Sequence, residues 1–128
     1  SAAEVVLVTT THEVNREFRE FSKQILGQSR VKFVVVAPTP VCVYLRNHEA
    51  AHCLPEKQFV GSESHLPVMT KLLQGGLDAA VPGVTRFVGV TNADIVFENL
   101  SLIKSLNLAE ESGSCMRNCV VVGRRYDV

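Results

Sequence analysis

Two short apolar runs, Val5 to Val8 and Val31 to Val36, bracket a stretch of helical periodicity. Runs this apolar, without regular polar alternation, belong to strands covered on both faces. Between them Val14, Phe18, Phe21 and Ile25 recur at helical spacing. Glu13, Arg16, Glu17, Arg19, Glu20 and Lys23 fall mostly on the other side. Thr10 to Glu13 has the spacing of a capping box, which predicts a helix start there, and Gly27 is expected to close it. A strand, a helix and a second strand of this kind predict a right-handed crossover and a parallel sheet. The chain is therefore expected to be α/β.

The remaining segments continue the alternation. Pro38-Thr39-Pro40 breaks the second strand, and Val41 to Leu45 fits either a strand or the first turn of a helix. Asn47 to Cys53 predicts a helix that Pro55 ends, and Gln58 to Val60 reads as a brief strand. Ser64 can cap a helix from His65 to about Leu77, with Leu66, Met69, Leu72, Leu73 and Leu77 as its apolar face. Gly75-Gly76 is expected to end that helix slightly early. Pro82-Gly83 then turns the chain into Phe87, Val88 and Val90, expected to be a buried central strand. Leu100 to Leu108 predicts a short helix, Glu110 to Asn118 a polar loop, and Val120 to Val122 a closing strand. No repeat or linker divides the chain. The expected architecture is one domain over 1–128, a three-layer α/β/α sandwich around a Rossmann-like, mostly parallel sheet.

Charge narrows the partners. Thirteen basic and thirteen acidic side chains balance, and no basic block carries interleaved aromatics, so a nucleic-acid surface is not expected. No apolar run reaches the roughly 20 residues of a membrane span. No basic region leads into a long apolar one, so no signal peptide is visible, which tilts the expected location towards the cytoplasm. Cys42, Cys53, Cys115 and Cys119 are too few and too scattered for a disulfide scaffold and are expected to be ordinary thiols. A Cys115–Cys119 pair in a secreted chain stays open as the alternative.

The chemistry concentrates after the Phe87 run. Asn92 and Asp94 stand two residues apart between apolar anchors, Ile95 to Phe97 following them. The plain alternative is an Asx turn that satisfies its own backbone. An aspartate beside an oxygen donor also suits a hard cation such as Mg²⁺ or Mn²⁺, which can grip a diphosphate. This segment resembles the metal- and nucleotide-binding turn of GT-A-type nucleotide-diphospho-sugar transferases, usually Asp-x-Asp. Three other stretches fit in the expected order: Val5 to Thr10, Glu63 to Pro67, and Val120 to Asp127.

The resemblance implies a nucleotide-sugar donor as partner, Mn²⁺ or Mg²⁺ at Asp94, and nucleotide contacts from Thr9, Thr10, Thr11, Asn92 and Asp94. It also implies that a complete enzyme continues into an acceptor-binding half, so no catalytic base is assigned here and the chain is expected to be a nucleotide-binding half of something larger or a minimal relative of it. Asn92 stands where the family carries its first carboxylate, which weakens the expected metal affinity. His65 replaces a glycine of the turn and loses its freedom at positive φ. Arg124 and Arg125 could meet phosphates or be plain surface residues.

Two rival readings come from other classes. One is a non-catalytic interaction domain that keeps this fold. The other is a small zinc hydrolase, because His48-Glu49-Ala50-Ala51-His52 matches H-E-x-x-H. Ala50 stands where a bulky apolar residue is usual, and Pro55 would cut the helix. Glu63 or His65 would have to serve as third ligand. A chance match explains the pattern better.

Overall fold

The computed structural model describes residues 4–26, 30–48, 52–61, 67–92 and 102–113. In chain order these form β1 (Val5–Thr10), α1 (Arg16–Leu26), β2 (Val31–Ala37), α2 (Thr39–His48), β3 (His52–Pro55), a 3-10 turn (Glu56–Gln58), α3 (Met69–Ala79), β4 (Phe87–Val90) and α4 (Leu102–Glu111). The strands make one all-parallel sheet in the order β3-β2-β1-β4. The protein is α/β with a Rossmann-like parallel sheet.

Strand alternation sorts the core into two clusters, one on each face. Val5, Leu7, Phe33, Val35, Ala37 and Cys53 meet Phe18 of α1 and Cys42 and Leu45 of α2, with Leu106 of α4 packed against them. Val6, Val8, Val34 and Val36 meet Leu72 of α3 and Phe59. The valines of β1 and β2 are buried on either face, as uninterrupted apolar strands require.

Several local expectations are corrected. Thr10 does not cap α1, because it continues β1 opposite Val36, and the Thr11 N–H donates to the Val36 carbonyl at 3.1 Å. The cap is Asn15, whose Oδ1 accepts the Phe18 N–H at 2.8 Å. Val41 to Leu45 is helical, within α2, with Pro40 in the first turn where a missing N–H costs nothing. The helix expected over Asn47 to Cys53 does not reach Cys53: Asn47 and His48 belong to α2, His52 opens β3, and residues 49–51 lie outside the described residues. Val60 contributes a single bridge to Pro67 in place of a strand. That pairing, with the Val68 N–H donating to Phe59, keeps 67–68 extended, so α3 starts at Met69 and not near His65. Gly75 and Gly76 do not end α3, which runs through them because it lies so close to β1 and β4.

The strand leading to Asn92 is half-buried where a buried one was expected. Among the described residues β1 and β2 hold the central positions and β4 pairs with β1, and the expected closing strand Val120 to Val122 lies outside the described residues. Arg86, just before β4, ties the amino end of the sheet to α4. Its guanidinium donates to both Glu110 carboxylate oxygens (3.1 and 3.0 Å) and to Asn107, and lies over the Phe87 ring. Glu4 approaches it at 3.9 Å. Among the described residues no helix is long and apolar enough to cross a membrane.

The expected ordinary thiols are corrected as well. Cys42 of α2 and Cys53 of β3 form a disulfide, with 5.2 Å between their Cα atoms. Cys115 and Cys119 lie outside the described residues.

Candidate functional site

In an open parallel sheet, ligands settle beyond the carboxyl ends of the strands, where the direction of winding reverses. Here β1 to β2 to β3 proceeds one way, and β4 returns to the other side of β1. The reversal therefore lies between β1 and β4. Pairing of Val8 with Val90 puts Thr9 level with Thr91 and Thr10 level with Asn92. The carboxyl ends of these strands thus bring Thr10, Thr11 and Asn92 to one edge.

Their roles diverge. Thr9 is fully buried, and its hydroxyl donates to the Thr91 carbonyl at 2.6 Å. With the Thr91 N–H donating to Val8 at 3.0 Å, this stitches the two strands together at the reversal. Thr9 is thus a girder of the site, its hydroxyl already engaged. The Thr11 hydroxyl donates to the Glu13 carbonyl at 2.6 Å and shapes the loop towards α1. The Thr10 hydroxyl makes no hydrogen bond among the described residues, and the Asn92 side chain is exposed. Among the described residues, Thr10 and Asn92 are therefore the predicted side chains left open to a ligand here. Asp94 lies outside the described residues, as do Glu49, Glu63, His65, Arg124 and Arg125.

A pair that the sequence reading missed stands at the same edge. His12 Nδ1 lies 3.4 Å from Glu56 Oε2, joining the loop after β1 to the turn after β3. Reading residues 47–53 as a helix hid the strand that delivers Glu56. The recoverable signal was Cys53-Leu54, an apolar pair before Pro55.

His48 and His52 end one element and open another, so no single helix carries both. Among the described residues no three His, Cys, Asp or Glu side chains gather to hold a metal ion. His52 titrates below its usual 6.5 because of partial burial, then the nearby charges of Lys32 and Arg46. The sign follows from linkage: above 6.5 the residue is neutral in both states. As pH falls, the unfolded chain takes the proton first, so stability drops until the folded state is protonated too. Urea midpoints at pH 7.5 and 5 should therefore fall further in the wild type than in His52→Gln. Equal falls would refute the shift.

Comparison with protein-family models, with curated proteins and with solved structures yields no match.

Proposed function

We propose that the chain is a nucleotide-sugar-binding domain of GT-A-like type, a three-layer sandwich whose ligand lies over the β1–β4 reversal. The observation that supports this reading is the strand order, which brings Thr10 and Asn92 level at that point. Thr10 and Thr11 would face the nucleoside, Asn92 would orient a metal-bound water, and Asp94 would ligate Mn²⁺ or Mg²⁺. The cation would offset negative charge on the departing diphosphate as the bond from sugar to oxygen breaks. Transfer activity in the isolated chain is expected to be absent.

Calorimetry with UDP-, GDP- and ADP-sugars, with and without Mn²⁺, tests the reading. Weak, metal-dependent binding is expected. Asp94→Ala should abolish the metal-dependent part, and Asn92→Asp should strengthen binding by adding an anionic ligand. Equal binding by all three proteins, or none by any, would count against it.

A non-catalytic interaction domain is the second reading, and one observation favours it. Met69, Leu73 and Leu77 form an exposed row at helical spacing along α3, and Val81 and Val84 after it are exposed too. Contiguous apolar surface of this kind commonly marks a contact surface. Loss of nucleotide binding with retention of the fold would move the balance to it.

A further inference from the structure

The pair His12 and Glu56 has no part in the site assigned above, yet register aligns it with that site. Thr10 pairs with Val36, and Val36 with Leu54. Two residues further along each strand direction come His12, Pro38 and Glu56, a row at the same carboxyl edge. Across this row the imidazole Nδ1 and the carboxylate Oε2 are 3.4 Å apart. The Glu56 side chain is only 18% exposed, while that of His12 is 66% exposed. Glu56 is therefore the anchored partner, with one oxygen turned to His12. Its other oxygen accepts no hydrogen bond among the described residues.

The chemistry of a carboxylate decides what it can meet. It accepts hydrogen bonds and repels phosphate, so it cannot serve the diphosphate end of a nucleotide. Hydroxyl donors suit it, and a ribose presents two on adjacent carbons. Strands lie about 4.8 Å apart, so the edge from β4 to β3 spans about 14 Å. A ligand with its diphosphate at the β1–β4 reversal can extend along that edge and bring its ribose towards the β3 side. We infer that Glu56, oriented by His12, accepts hydrogen bonds from the ribose hydroxyls and makes the site selective for ribonucleotides over deoxyribonucleotides. This rests on the nucleotide-sugar reading above. Glu56 reads the sugar of the nucleotide, and His12 is a positioning residue that holds its carboxylate.

The test is calorimetry with UDP, GDP and ADP, each against its 2′-deoxy counterpart, in the presence of Mn²⁺. The wild type should bind the ribonucleotide at least about tenfold more tightly, the usual scale for a hydrogen bond to a charged acceptor. Glu56→Gln should bring the two within about twofold, the ribonucleotide losing more than the deoxynucleotide, which keeps one of the two hydroxyls. His12→Ala, on an exposed loop, should narrow the difference partly, and it carries the test if Glu56→Gln does not fold. Metal-dependent binding with no ribose preference in the wild type would overturn this inference and leave the nucleotide reading standing. A preference that survives both substitutions would overturn it too. No binding of any nucleotide would overturn both.

Discussion

Reduction of the Cys42–Cys53 bond is expected to lower stability by about 3 kcal/mol, the loop-closure value for a short loop. The two residues are 11 apart in sequence, and the loop they close carries the chain from α2 into β3. Both are buried in the cluster shared by α1, α2 and the sheet, so the bond joins a helix to the strand beneath it. For a chain of this size the loss corresponds to roughly 10 °C in melting temperature. Urea unfolding with and without reductant measures it, and peptide mapping of the unreduced protein identifies the linkage. Superimposable curves, or free thiols at both positions, would contradict it.

Gly76→Ala should destabilise the protein by about 2 kcal/mol or more net, opposite to what helix propensity alone predicts. In an exposed helix the change would gain about 1 kcal/mol. Here a Cβ would stand 2.5 Å from Val88 Cγ1 and 3.0 Å from Val8 Cγ2. Both neighbours are valines, stiff about χ1 and fixed in paired strands, so relief requires α3 to lift from β1 and β4. Overpacking of this kind typically costs 1–3 kcal/mol, and here the stiffness of both neighbours places it at or above the upper end. Gly75→Ala is the internal control. Its Cβ would meet the Phe59 ring alone, at 2.8 Å, so one buried side chain on a turn must give rather than two valines on paired strands. A smaller loss is therefore expected at 75 than at 76. A Gly76→Ala midpoint equal to or above the wild type would show that the helix has room to spare.

These residues also explain what the sequence disclosed. β1 and β2 were legible because buried strands leave an unbroken apolar signal. The helix between them was legible from its spacing, though not its cap, since Thr10 and Asn15 both suit that role and only the strand ladder decides between them. Gly75-Gly76 reads as a helix stop until the sheet is known to lie against it. The four-residue β3 is too short for periodicity, and the alanines before it suggested a helix instead. That error concealed Glu56 and the partner of Cys42. At the candidate site, the pattern of apolar strand followed by polar turn located Thr10 and Asn92. It could not reveal that Thr9 turns inward to spend its hydroxyl on Thr91.

The disulfide has one more consequence, for the sheet as a surface that other chains can reach. β3 pairs with β2 alone among the described residues, and a bare strand edge is a template on which foreign strands assemble. β3 offers little to such a visitor. It is four residues long, it ends in Pro55, which has no N–H to donate, and Cys53 is tethered to α2. The Cys53 carbonyl is already taken by Arg46 at 2.8 Å. The bond that staples the fold thus also holds the strand at this margin in place.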